Sequence, residues 1–313
     1  MKRSTRNVVK MHGWRIDRAI HNYIYFVYYR LYVSLFLQAG RFLARRFLWL
    51  KGLRHAFRFV FVRYHGKVLS ASDARKIITL NRDLIIGPDK SERIIPFQYA
   101  NKIILKETDF IAVMDCPCRL IRDNPCQSPG SCMAIGRTTA EFWLEHGEKY
   151  HVRKINQAEA LRIIMDARER GCITAAWFKV ATGGRTGVIC SCCRCCCGGM
   201  EGTRIGQKFD RTLSMMAPSG YAVIHDPGTC KSCKKCSEIC MFNAVTFSSD
   251  NTRVYDSAAC MGCGLCTEKC QQHALSLVRD PSKGEPLDID SLKETLQVGR
   301  QGGESESVSG VIS

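Results

Sequence analysis

Cysteines at positions 230, 233, 236 and 240 recur thirty residues later at 260, 263, 266 and 270. A triplet spaced three apart puts three thiolates on one tight loop, where they can wrap three irons of a cubane. The fourth, set on the following helix, reaches across to a neighbouring cluster. Zinc sites draw on two separated pairs of ligands, so this spacing selects iron–sulfur chemistry and a chain that moves electrons. The repeat extends beyond the cysteines. Residues 223–247 align with 253–277 at an offset of 30, matching Asp226 with Asp256, Glu238 with Glu268 and Ala244 with Ala274. Each unit reads as short strand, cluster loop, one helical turn and short strand.

Residues 221–280 resemble the bacterial two-cluster ferredoxins. The resemblance implies that Cys230, Cys233, Cys236 and Cys270 hold one 4Fe–4S cluster, and that Cys260, Cys263, Cys266 and Cys240 hold a second. Met241 and Gln271 stand where that family usually places proline after the fourth cysteine. Proline there shapes the helix start and is no ligand, so the departure concerns local packing.

Nineteen cysteines in 313 residues argue against a disulfide scaffold, which is usually short and secreted. Thiolate ligands point to a reducing cytosol. The charge is lopsided: residues 1–75 hold 16 Lys or Arg against Asp17 and Asp73, which is +14 of the chain's +17. The first 65 residues also carry 15 of its 28 aromatic side chains. This stretch reads as a basic, aromatic, amphipathic helical appendage. Tyr23–Leu37 is apolar apart from Arg30 and Ser34, and fifteen helical residues span about 22 Å, short of a bilayer core of about 30 Å. A helix over 41–63 places Phe42, Leu43, Trp49, Leu50, Leu53, Phe57, Val60 and Phe61 on one side. Arg41, Arg45, Lys51, Arg54 and Arg58 fall on the other. An apolar face against an arginine-rich one suits an anionic membrane surface or a membrane subunit. A helical layer packed on the rest of the chain is the alternative. No nucleic-acid-reading motif accompanies the charge, and Arg30 interrupts any secretory signal.

Residues 76–220 read as a Cys-rich α/β module. Pro96 starts a helix expected over 96–107, and Phe110–Met114 is a short buried strand. Thr138 with Glu141 forms a capping box, as does Asn156 with Glu159 ahead of a helix ending at Gly171. Cys172–Val180 follows as a strand. Two cysteine clusters sit in loops after strands. Cys116, Cys118, Cys126 and Cys132 lie among Pro117, Pro125, Pro129 and Gly130, with Arg119 placed to offset thiolate charge. Cys190, Cys192, Cys193, Cys195, Cys196 and Cys197 fall within eight residues, ahead of Gly198 and Gly199. No apolar core requires six thiols in that space. Further iron–sulfur ligation, a zinc site or, for the second string, copper all suit such soft ligands. Cys172, alone in its strand, reads as a buried inert thiol.

The order of these motifs over residues 95–280 is similar to that of multi-cluster iron–sulfur proteins of anaerobic bacteria and archaea. This resemblance implies cofactor and general role, and no reaction. The fold class expected is α+β: the appendage (1–75), the Cys-rich module (76–220), a two-cluster ferredoxin module built as a βαβ repeat (221–280) and a polar tail (281–313). The function expected is relay of electrons through two 4Fe–4S clusters to or from one or two further Cys-ligated centres. It would work with a redox partner protein, in the cytoplasm at the membrane face. An oxidoreductase whose Cys190–Cys197 centre reduces a small substrate is the alternative, as is a redox sensor or metal-delivery protein. No G-x-G-x-x-G follows a strand, so no nicotinamide or flavin site is expected.

Overall fold

A computed structural model describes residues 2–50, 52–61, 64–86, 93–94, 103–126, 130–179 and 186–291. Four helices open the chain: α1 (Arg3–His12), α2 (Ile16–Val27), α3 (Tyr29–Arg46) and α4 (Leu53–Phe61). Strand β1 (Tyr64–Leu69), helix α5 (Ala71–Ile78) and the paired strands β2 (Leu84–Ile86) and β3 (Ile103–Leu105) follow. Next come β4 (Ile111–Asp115), the short helix α6 (Pro117–Leu120), β5 (Gly130–Ile135), α7 (Arg137–His146) and β6 (Arg153–Ile155). Then α8 (Gln157–Glu169), β7 (Ile173–Lys179), β8 (Thr186–Cys192), α9 (Gly198–Gly206) and β9 (Met216–Ala217) complete the body. The cysteine repeat folds as β10 (Tyr221–His225), α10 (Lys235–Ile239), β11 (Val245–Phe247), β12 (Arg253–Tyr255), α11 (Leu265–Lys269) and β13 (Leu275–Arg279).

Seven strands form one sheet in the order β6-β4-β5-β8-β7-β1-β9. Neighbours are antiparallel except β1 and β9. Side chains alternate between its faces with period two. Ala112, Met114, Cys132, Ala134, Val188 and Trp177 enter one core, while Ile111, Val113, Met133, Ile135, Ile189 and Phe178 enter another. Helices α5 and α8 cover the second face through Ala74, Ile77, Ile78, Ala160 and Ile164. As the sequence predicts, Asn156 caps α8, its Oδ1 accepting from the Glu159 N–H at 2.8 Å. Helix α7 starts ahead of Thr138, with Gly136 as its N-cap at φ 90°. Glu141 pairs with Arg137 at 3.4 Å, one turn back. Of the helix expected over 96–107, residues 96–102 lie outside the described residues and 103–105 form β3.

The other face of the sheet is covered by the N-terminal helices, which corrects the picture of an appendage. Tyr25, Phe26, Tyr29 and Leu37 share a core with Cys132 and Trp177, and β1 sits inside the sheet beside β7. The segment is a layer of the fold. The helix expected over 41–63 is interrupted, since α3 ends at Arg46 and α4 begins at Leu53. Its apolar face divides too: Phe57 and Phe61 are buried, and Phe42, Trp49 and Leu50 are exposed. Among the described residues, no helix is long and apolar enough to cross a membrane. Helix α9 packs closely beneath this layer because it lacks side chains there. A Cβ on Gly199 would lie 2.1 Å from the Trp177 ring, and one on Gly206 2.6 Å from Phe61.

The chain beyond β13 returns to the body. Leu287 and Ile289 are fully buried in the core under α5 and α8, and Lys76 Nζ pairs with Asp288 at 2.6 Å. The start of the expected polar tail is therefore packed, and 292–313 lies outside the described residues. On β1, the buried Lys67 donates to the Glu285 carbonyl at 2.7 Å. Burial lowers its pKa from 10.5 to about 7, although Asp73 nearby favours the charge. Below pH 7 folded and unfolded chains both hold this proton. Between pH 7 and 10.5 only the unfolded chain does, so the contribution of Lys67 to stability rises with pH across that window. We predict that Lys67→Met gains most over the parent at or below pH 7, and that its advantage shrinks by pH 10. Denaturant unfolding of both proteins across this range measures it.

Candidate metal centres

Strand alternation and helix termini bring seven of the ten middle cysteines to one cavity. Cys190 and Cys192 are two apart on β8 and share a face. Cys132 on β5 is in register with Cys190, their sulfurs 3.3 Å apart. Cys116 is the N-cap of α6, with Pro117 at the first helical position, and Cys118 follows one residue on. Cys197 is the N-cap of α9. All six, together with Cys193, line a cavity of about 80 Å³, room for several water-sized groups and more than one metal ion needs. Its lid is aromatic and apolar: Tyr25, Tyr29, Tyr32, Val33, Phe36 and Leu37 from α2 and α3, with Trp177 from the sheet.

The remaining three form a second group with Cys193, which borders both. The sulfurs of Cys126, Cys193, Cys195 and Cys196 all lie within 4.8 Å of one another. Cys195 and Cys196 are 3.5 Å apart, and Cys196 and Cys126 are 3.8 Å apart. Grouping by sequence, with 116, 118, 126 and 132 as one set and 190–197 as the other, is thus not the grouping in space. Cys126 leaves the first set, and the 190–197 string divides between both. The cause is local: β8 directs 190 and 192 to the cavity, the turn at 194–196 points away from it, and the start of α9 brings 197 back.

Thiols this crowded resist ionisation unless a cation joins them. The bond with Cys118, together with burial, pushes Cys116 far above the ordinary thiol range. The bond with Cys197, again with burial, does the same to Cys192. Positive charge offsets this penalty, and the chain supplies some itself. Buried Arg119 donates to Ser131 Oγ at 2.6 Å, to the Ser191 carbonyl at 3.0 Å and to Cys172 Sγ at 3.5 Å. Burial opposes its charge, but the sulfurs of Cys116, Cys172 and Cys193 around it hold the proton more firmly than usual. Cys193 is lowered to about 3, first by the Cys172 thiol and then by the Cys196 N–H, Cys126 and Arg119. Cys172 is buried, as its strand position suggests, yet it sits at this junction. Tyr25 of α2 and Tyr29 and Tyr32 of α3 were not singled out in the sequence, although their spacing by four and three residues was a signal that could have found them.

In the repeat, Cys230, Cys233, Cys236 and Cys270 line one cavity, so the second copy contributes to the first loop. Cys263 and Cys266 lie close enough to Cys260 and Cys240 for the charges to interact. Main-chain N–H groups of Ser232 and Gly262 reach the sulfurs of Cys230 and Cys260, both at 3.4 Å, and Ala244 N–H reaches Cys240 at 3.3 Å. Left-handed backbone recurs at equivalent places: Ser232 and Gly262, Lys234 and Gly264, Asn243 and His273. The copies differ in surroundings. A Cβ on Gly262 would lie 2.1 Å from the Tyr221 carbonyl, so the second loop is pressed against the body. Lys231, Cys233, Lys234 and Lys235 of the first loop are exposed.

Residues 253–276 match the 4Fe-4S binding domain family. Among curated proteins, none matches the chain. The matched stretch includes Cys260, Cys263, Cys266 and Cys270, and the first copy presents the same spacing. With the tight thiol group of the body, this domain points to an iron–sulfur electron-transfer role.

One side chain anchors the domain to the sheet. Arg168, 1 % exposed, donates from Nη2 to Glu268 Oε1 at 2.5 Å and to the Cys263 carbonyl at 2.7 Å, and from Nη1 to Thr174 at 3.3 Å. Arg168→Met is expected to cost about 3 kcal/mol, since breaking a buried pair strands its partner. It should also speed amide exchange around Cys260–Cys266 before the sheet is affected. Lys269→Met removes a pair whose Glu169 is 71 % exposed, and should change stability by less than about 1 kcal/mol.

Proposed function

We propose that this protein takes electrons from a redox partner at an exposed ferredoxin cluster. They pass to a buried second cluster and on to centres held by the cysteines of the α/β body. In this reading Cys230, Cys233, Cys236 and Cys270 hold the outer 4Fe–4S cluster, and Cys260, Cys263, Cys266 and Cys240 hold the inner one. Cys116, Cys118, Cys132, Cys190, Cys192 and Cys197 hold a third iron–sulfur centre. The observation that carries the reading is the contact at Arg168. It joins the Cys263 loop to α8, whose end leads directly into Cys172, within reach of Cys193 and Arg119. Lysines around the outer loop favour an acidic partner and raise that cluster's potential, because positive charge stabilises the reduced state.

Anaerobically purified protein should carry more than the about eight irons of two cubanes. Cys116→Ser with Cys118→Ser should remove about four of these and leave the ferredoxin resonances in place. Changing Lys231, Lys234 and Lys235 to Gln should move one of two reduction potentials downward. An iron count of eight that is indifferent to Cys116 and Cys118 defeats the third centre.

A second reading rests on a hydroxyl chain. His21 Nε2 bonds to the Tyr64 hydroxyl, which lies 2.9 Å from that of Tyr32, and both tyrosines line the cavity. Such a chain delivers protons. Combined with electrons from the ferredoxin clusters it would suit an oxidoreductase acting on a small substrate beside the six cysteines.

The N-terminal layer supports placement at an anionic membrane face. Among the described residues, nearly all large hydrophobic side chains left exposed lie between Val9 and Phe59, including Trp14, Ile16, Ile20, Ile24, Leu31, Leu35, Phe42 and Trp49. Arg15, Arg30, Arg45, Arg46, Arg54 and Arg58 are exposed among them, as an interfacial surface requires. The protein should float with anionic vesicles and not with neutral ones. Changing Arg45, Arg46, Arg54 and Arg58 to Gln should cut binding at least about tenfold, near 1 kcal/mol for each charge, with cluster spectra unchanged. Equal flotation with both vesicle types would exclude this placement.

A further inference from the structure

The geometry points to a single zinc ion held by Cys126, Cys193, Cys195 and Cys196, at the edge of the cavity that Cys193 also lines. Size decides this. Four thiolates around one Zn²⁺ at about 2.3 Å form a tetrahedron with edges of about 3.8 Å. The observed separations are 3.5 Å and 3.8 Å, with every pair inside 4.8 Å. Thiolates on a cubane stand on four different irons and lie roughly 6 Å apart. Cys195 and Cys196, neighbours in one turn, hold their sulfurs 3.5 Å apart, close to the zinc edge and well short of the cubane spacing. Four protein ligands close the coordination sphere, the mark of a structural zinc site.

The surroundings suit a zinc tetrathiolate, which carries two negative charges. Arg119 donates to the Ser191 carbonyl at 3.0 Å and to Cys172 Sγ at 3.5 Å, which brings a positive charge to this end of the site. Arg122 donates to the Cys196 carbonyl at 3.1 Å, and Arg204 to that of Arg194 at 2.8 Å. Glu201, paired with Arg122 and with Arg41 of α3, fixes the same loop to the N-terminal layer. The ion would have a definite structural task. It cross-links the loop after α6, which carries Cys126, to the turn between β8 and α9. That holds the turn outward and leaves Cys192 and Cys197 free to face the cavity. Zinc is redox-silent, so the site stands beside the electron path and shapes it.

Metal analysis of the full-length, anaerobically purified holoprotein tests this. We expect one zinc per chain in addition to iron, and zinc X-ray absorption with four sulfurs at about 2.3 Å. Cys126→Ser and Cys195→Ser should each lower zinc at least about fivefold while the iron and sulfide counts hold. Cys132→Ser should do the reverse, losing iron and keeping zinc. The absorption measurement on the unaltered protein decides the matter even if a variant fails to fold. Absence of zinc, or loss of iron from the Cys126 or Cys195 variant, overturns the assignment. Failure of the electron relay would appear separately, as a missing reduced-state resonance with zinc intact.

Discussion

A buried thiol is costly to ionise without a cation beside it, and this protein buries many cysteines. That penalty organises the fold. The sheet delivers cysteines from β5 and β8 to one face, and α6 and α9 begin with cysteines aimed at the same space. Arg119 threads between the groups with its hydrogen bonds satisfied by Ser131 and Ser191. Around this centre the chain builds an apolar, aromatic wall. Water is thereby kept from the sulfurs, and the local field strengthens as water is excluded.

The wall comes from the part of the chain that looked least connected to the chemistry. Tyr25 and Tyr29 are pushed well above the ordinary tyrosine range, mainly by burial, so they stay neutral against the cysteines. The same two helices present isoleucine, leucine and phenylalanine outward. Each therefore has two apolar faces, one turned to the sulfurs and one unpartnered within the chain. Amphipathic analysis assumes a single apolar stripe, which is why the pattern over 41–63 suggested one continuous interfacial helix.

Much of the architecture was written in short-range signals. The cysteine triplets, the Asn156 cap and the strand before Cys116 all report local geometry, and each is found where the sequence places it. Pairings that join distant residues were not legible. Nothing near Cys126 says that it leaves Cys116 and Cys118 for Cys193, Cys195 and Cys196. Nothing in the sequence around Arg168 sets it apart, although it is among the most buried side chains of the described residues. The glycine at 262 against Ser232 did carry a hint. Where one copy of a repeat cannot tolerate a Cβ, something lies against it.

Leu287 and Ile289 fill the core beneath the sheet, yet they follow the whole cysteine repeat in the chain. During synthesis the body therefore cannot close until the ferredoxin residues have already emerged from the ribosome. This core is thus completed only by a segment that follows every cysteine of the chain.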